Sequence, residues 1–587
     1  MSETPTPTDR PETPSAEAKR REREALRARR KQRQSLSFLA RWFDRAIDVI
    51  GEAIAQVSGA SEDYNKGKRL AEWGKYEQAI ACFDKAVQTK PDWRQVWLDR
   101  GRALVELGRP EDAIASYDKA IELRANDYWA WTLRGQLLYQ VQQYDDALAS
   151  LDRGTQIKPN RYEAWYSLGL AFDRLGRLLE AAEAYEQALQ RQPQLPSIWF
   201  AHAHALQRLQ QYPEAVTAYE RTLQLQPQQV RAWVNLGTSL DCIGQQTQSI
   251  DAYDRALQLD PNQASVWIDR GLAFEKLQRY TDAVASYDRA IQLEPENYEA
   301  WFQKGMALKH QWYEAAIACF DRAIELQPNS PMAWQGRGST LLESGNYGEA
   351  MDAFDKATQL DPHLAESWLG RGIALYRLNR YKEATIAFDN AIESDPQSLQ
   401  AWHYRGETLI KLRRYEAAIA AYDKVIELKG DRSPDVYRTW FKRAEALEKL
   451  HRADEAVAAY DKVIDLQPHD IATWFKRGEL LERSEQFIEA IDTYDRAINI
   501  WPDNVEAWLR RGQLLAKIER YGDAIVTYDR AIQLQPGNYE SWVQRAQVLE
   551  KLERWDDAIR SYGVALEINP DGQEAIARLN RLEQRQP

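Results

Sequence analysis

Fourteen tryptophans recur along this chain: Trp97, Trp131, Trp165, Trp199, Trp233, Trp267, Trp301, Trp334, Trp368, Trp402, Trp440, Trp474, Trp508 and Trp542. Eleven of the thirteen gaps are 34 residues, and the other two are 33 and 38. A period of this length excludes one compact core. Each copy is a supersecondary unit that buries its apolar face only against its neighbour, so an elongated stack is expected.

Taking the tryptophan as slot zero aligns the copies within the one chain. Four residues on, eleven of the fourteen copies carry glycine, among them Gly101 and Gly135, and the other three carry Ala203, Ala444 and Ala546. Seven residues on stands Leu or Phe every time, as in Leu104 and Phe172. Slots 0, 4 and 7 share one face of a helix. The expectation is that the small residue admits a neighbouring helix and the tryptophan fills the space beside it. A short break follows, with Gly108, Gly176, Gly244 or Gly345 in some copies, which suits a helix C-terminus. A second helix then carries an aromatic near slot 13 (Tyr144, Tyr212), Ala at slot 16 (Ala113, Ala147) and Tyr or Phe at slot 20 (Tyr117, Phe354). Proline stands six residues before the next tryptophan in thirteen of fourteen copies and ends that helix. Each copy is read as an αα-hairpin.

The pattern W-x-x-x-G followed by Leu, Ala, Tyr/Phe and Pro, as in WLDRGRALVELGRPEDAIASYDKAIEL, resembles the tetratricopeptide repeat family. The resemblance implies an all-α fold, a right-handed superhelical α-solenoid of stacked antiparallel helix pairs. It covers residues 60–570 with about fifteen copies, the first near Asp63 with Tyr64 standing beside the missing tryptophan. Residues 571–587 read as a C-terminal capping helix. The 33-residue gap loses a residue near His310–Trp312, and the 38-residue gap adds four around Gly430–Ser433.

One departure stands out. Where the family usually has leucine at slot 3, ten copies have arginine, beginning with Arg100, and one has Lys304. The second helix carries a matching acid at slot 21: eleven Asp, beginning with Asp118, plus Glu186 and Glu220. An ion pair repeated within each copy or across its boundary is expected, serving geometry more than stability. The copies lacking the cation have Leu168, His202 and Leu236.

By the same resemblance, ligands lie against the first helices, at slots 1, 5, 8 and 9. The carboxylate clamp of chaperone-binding relatives is absent, since those slots hold pairs such as Leu98/Arg102 and Thr132/Gln136. A central zone holds Tyr166, Leu170, Phe200, Ile268, Leu272, Phe302 and Met306. These side chains serve either as partner contacts or as padding between helices. Farther on the slots turn acidic, with Glu407, Glu445, Glu448, Glu479 and Glu482. Lys411, Lys449 and Arg483 stand four residues after three of them, an orientation that favours local pairing.

The net charge of −12 argues against nucleic acid as the partner of the array. Residues 1–36 form a basic, Pro- and Thr-rich extension expected to be disordered. Residues 37–59 form an amphipathic helix with Phe38, Trp42, Phe43 and Ile47 on one stripe. It is a cap on the first copy or, with the basic run, a membrane-surface anchor over residues 19–57; the third reading is salt-sensitive nucleic-acid binding by the basic run. Cys82, Cys242 and Cys319 have no metal or redox spacing and read as small packing residues. The seven histidines are scattered, and no motif calls for a catalyst, cofactor, metal or small-molecule substrate. The expected function is a non-catalytic scaffold or adaptor for proteins or peptides in a cytoplasmic, bacterial setting. The alternative is a membrane-peripheral assembly factor holding client proteins.

Overall fold

The computed structural model describes residues 59–309 and 311–583. The expectations for residues 1–58, including the anchor or cap, lie outside the described residues. Among those described there are 31 α-helices, one short 3-10 turn and no strand. The chain divides into two units at Pro261/Asn262. The first contains six helix pairs, from Gly59–Glu72 with Tyr76–Thr89 to Val230–Cys242 with Gln246–Leu259. The second contains nine, from Ala264–Lys276 with Tyr280–Leu293 to Tyr539–Lys551 with Trp555–Ile568, and a last helix, Gln573–Glu583. That last helix sits on its predecessor and buries Ala575 and Leu582. Within each unit every helix packs on the next, so each is a stack of paired helices.

Local chemistry sets the boundaries. First helices are typically 13 residues and second helices 14, as in Arg94–Glu106 and Pro110–Leu123. The turn between them is a Schellman closure: Gly108 N–H donates to Val105 C=O at 3.0 Å and Arg109 N–H to Leu104 C=O at 2.9 Å. It needs one residue with left-handed backbone. Gly108 (φ 77°) supplies it there, and non-glycine residues such as Gln142 (φ 66°) and Glu519 (φ 64°) do so elsewhere. Proline one residue past the second helix's cap, as Pro91 after Lys90, prevents continuation.

The two irregular gaps have local outcomes. Around the 33-residue gap the first helix shortens to Tyr298–Leu308, 11 residues, and Trp312 becomes the N-cap of the following helix. At the 38-residue gap the second helix runs one residue longer, Tyr415–Lys429, and a 3-10 turn, Pro434–Val436, leads into the next pair.

Candidate partner-binding groove

The scaffold beneath the groove is built from four slots. A Cβ on Gly101 would lie 2.4 Å from Tyr117 Cε1, and one on Gly271 would lie 2.4 Å from Tyr287 Cε1. The glycine therefore makes room for the slot-20 aromatic of its own pair, which is almost wholly buried (Tyr117 1%, Tyr287 0% exposed). This corrects the expectation that tryptophan fills the space. The slot tryptophans are half-buried, Trp474 being the exception at 6% exposed. Twelve of them instead turn the indole N–H to the carbonyl six residues back, among them Trp97 to Pro91 at 2.9 Å, Trp131 to Ala125 at 2.8 Å and Trp542 to Pro536 at 2.9 Å. The proline thus ends one helix and anchors the next. At Trp440, after the four-residue insertion, the buried Nε1 has no such partner.

The slot-3 arginine joins consecutive pairs. Arg100 Nε donates to Asp84 Oδ1 of the preceding second helix at 2.6 Å, and its Nη1 to Ser116 Oγ of the following one at 2.6 Å. Arg134 bridges Asp118 and Ser150 in the same way at 2.7 and 2.6 Å, and Arg545 bridges Asp529 and Ser561 at 2.6 Å each. The ion pair crosses the boundary between copies, so Arg100 and Asp118 serve different joints. The guanidinium also lies over the slot tryptophan, as Arg270 over Trp267 at 5.4 Å and Arg443 over Trp440 at 5.4 Å. Where the slot holds His202, the side chain is half-buried and burial pulls its pKa down.

Slots 1 and 5 are less uniform than expected. Leu98, Thr132 and Ile268 at slot 1 are buried, at 1%, 1% and 7% exposed. Ile268 is therefore core, and it leaves the set of contact candidates. Aromatics at the same slot are only half-buried. Phe200 packs edge-on against Tyr219 at 5.8 Å between ring centroids, and Tyr166 packs tilted against Tyr185 at 6.0 Å. In the second unit Phe302 meets Phe320 edge-on at 5.9 Å. Leu170, Leu272 and Met306 at slot 5 are likewise half-buried.

The acidic slots are engaged, though not by the lysines and arginine four residues on. Glu445 meets Lys442 at 3.2 Å, Glu479 is 3.9 Å from Arg510 of the next pair, and Glu407 accepts from Tyr376 Oη at 3.3 Å. Arg483 reaches back 35 residues to Glu448 at 2.7 Å. The slot-8 acids also accept from the buried slot-20 phenols: Tyr287 donates to Glu275 at 2.6 Å and Tyr494 to Glu482 at 2.7 Å. Burial first, and the carboxylate second, hold these phenols protonated far above the usual tyrosine range.

Models of the tetratricopeptide repeat match residues 64–128, 132–196, 200–264, 264–297 and, in overlapping stretches, 307–471 and 475–573. The chain belongs to the tetratricopeptide repeat family. No curated protein matches it. Among solved structures it is similar to Naa15/Naa10 bound to HypK-THB, at 15% identity, 90% of this chain, 96% of that one and a TM-score of 0.32. It is also similar to yeast Tom70, at 18% identity, 71% and 98% coverage and 0.32. A third is YrrB, a tetratricopeptide repeat protein with an unusual peptide-binding site, at 23% identity, 32% and 97% coverage and 0.29.

For a tetratricopeptide repeat chain, the residue that sequence reading missed is the slot-19 hydroxyl (Ser116, Ser150, Ser286, Thr493, Thr527, Ser561), the second acceptor of the arginine. The sequence signal was partial: all three copies without a slot-3 cation carry alanine there (Ala184, Ala218, Ala252), but so do four with arginine (Ala353, Ala387, Ala421, Ala459). Cys82 and Cys319 occupy this slot buried, whereas Cys242 is exposed and is not a packing residue. Among the described residues no group of three or more His, Cys, Asp or Glu is placed to hold a metal ion, and no helix is long and apolar enough to cross a membrane.

Proposed function

We propose that this chain is a protein-interaction scaffold without catalysis of its own. Its first-helix slots 1, 5, 8 and 9 receive protein or peptide partners. The observation that supports this most is the partial exposure of Tyr166 and Phe200, each packed against a buried tyrosine of its own pair, with the Arg231 guanidinium 5.8 Å from the centre of the Phe200 ring. An aromatic braced in this way offers large contact area and loses little rotamer freedom on binding. Phe302 in the second unit is also half-buried, stacked on Tyr298 at 5.8 Å and edge-on to Phe320 at 5.9 Å. Glu445 and Glu479, 38% and 42% exposed, suit basic side chains of a partner, with Lys442 and Arg510 tempering the charge.

The test is a pull-down with crosslinking mass spectrometry on the full chain. It is run beside the Tyr166→Ala/Phe200→Ala/Phe302→Ala variant, an Ile488→Ala control and a chain lacking residues 1–59. Ile488 is 76% exposed at a second-helix position. Loss of crosslinked partners in the triple variant alone supports the groove. Loss in the truncation alone, together with release from anionic vesicles, replaces the reading with the membrane-peripheral one.

A further inference from the structure

A cleft opens at one joint between helix pairs. At six joints the slot-3 arginine reaches the slot-19 hydroxyl of the following second helix, as Arg100 does between Asp84 and Ser116. At the 33-residue gap the cation is Lys304 and the slot-19 residue is Cys319. Lys304 keeps its acid, Nζ lying 2.7 Å from Asp288 Oδ1. A slender ammonium stem has no second fork to reach the other helix, and no hydrogen bond joins it to Cys319. A cleft of about 760 Å³ remains between Tyr280–Leu293 and Tyr313–Leu326, floored by Tyr298–Leu308.

Its walls are Val284, Trp301, Leu308, Trp312, Ala315 and Ala318. Trp312 is there because the first helix ends two residues early. It occupies the cap position held by Arg109, Gln143 or Gln211 in other pairs, and its indole is 42% exposed. Two cations line the same cleft. Lys304 spends one of its three N–H donors on Asp288 and lies 5.6 Å from the centre of the Trp301 ring. Arg322 spends Nη1 on Glu325 at 2.6 Å.

We propose that this cleft binds a small amphipathic carboxylate. Its aliphatic or aromatic body lies between Trp301 and Trp312, and its carboxylate meets the spare donors of Lys304 and Arg322. The volume falls within the range of roughly 300–1,000 Å³ usual for small-ligand sites. A purely apolar body would cover two cations without satisfying their donors, a cost that a carboxylate removes. The site is separate from the groove slots of the proposed function and departs from the expectation of no small-molecule ligand.

Octanoate and indole-3-acetate, titrated into the full chain by calorimetry and tryptophan fluorescence, test it, with octan-1-ol as the uncharged probe. The repeat supplies its own repair. Lys304→Arg with Cys319→Ser reproduces the arginine and hydroxyl of the preceding joint, Arg270 with Ser286, and Trp312→Gln supplies the cap residue of Gln143 and Gln211. Saturable binding of at least one acid is expected. Each variant should weaken it at least about tenfold with helicity unchanged, and octan-1-ol should bind at least about tenfold more weakly. The proposal is overturned by no saturable binding of either acid, by unchanged affinity in both folded variants, or by equal affinity for octan-1-ol.

Discussion

Replacing Arg545 isolates the joint that repeats along this chain. Its Nε lies 2.6 Å from Asp529, its Nη1 lies 2.6 Å from Ser561, and its guanidinium sits 6.0 Å from the centre of Trp542. Asp529 is 43% exposed against 21% for Arg545, so solvent screening holds the ion pair to about 0.5–1 kcal/mol. The hydroxyl bond adds about 1 kcal/mol. The contact with the indole adds about 0.5 kcal/mol. Arg545→Ala should therefore cost about 2–3 kcal/mol, counting also the packed methylenes. Arg545→Leu regains about 1 kcal/mol of apolar contact, and leucine already stands in this slot at Leu168 and Leu236. Removing the stranded hydroxyl as well, in Arg545→Leu/Ser561→Ala, should add less than about 0.5 kcal/mol, since Ser561 keeps its bond to the Asp557 carbonyl at 2.9 Å. A stack in which each pair touches only its neighbours need not unfold in one step, so the readout is hydrogen exchange resolved by helix. Protection should fall in Tyr521–Leu534, Tyr539–Lys551 and Trp555–Ile568 and stay unchanged in Arg94–Glu106. A cycle of Asp529→Asn with Arg545→Leu should show coupling of about 0.5–1 kcal/mol. Zero coupling, or protection lost evenly along the whole chain, refutes this account of the joint.

Gly271→Val should cost about 2–3 kcal/mol by overpacking, because Tyr287 is wholly buried and tied to Glu275. Gly271→Ala should cost less than about 1 kcal/mol after its helix-propensity gain, since alanine already faces Tyr219, Tyr460 and Tyr562 from this slot; thermal melts of both variants decide it. In alkali, Tyr287, Tyr460, Tyr494 and Tyr562 keep protons that the unfolded chain sheds near pH 10, because burial and Glu275, Glu448, Glu482 and Glu550 raise their pKa values. Their contribution is intact below pH 10 and falls above it by roughly 1.4 kcal/mol per pH unit for each tyrosine. Phenolate absorbance that rises normally at pH 10–11 while helicity persists would contradict this. Glu519→Gly should stabilise its turn by about 0.5–1 kcal/mol, because Glu519 holds φ 64°; an unchanged or lower melting temperature counts against the turn argument.

Much of the architecture was legible from spacing alone. The 34-residue period, the left-handed turn slot and the proline at all but one of the junctions before a slot tryptophan determine where helices begin and end, since these depend on backbone chemistry within a few residues. The existence of an Arg–Asp pair was also readable, and so, in retrospect, was its partner. Asp84 precedes the first slot-3 arginine, whereas Gly563 stands where the last acid would be, so the acid leads its arginine by 16 residues. Only the tertiary structure decided which groups meet across the gaps. It put Tyr287 rather than Trp267 against Gly271, buried Ile268 while leaving Phe302 half open, and sent Arg483 to Glu448 instead of Glu479. It also opened the cleft at Lys304 and Trp312. Periodicity sets the angle at which a side chain leaves its helix. The distance and tilt of the next helix, which depend on the volumes packed between them, determine what that side chain touches.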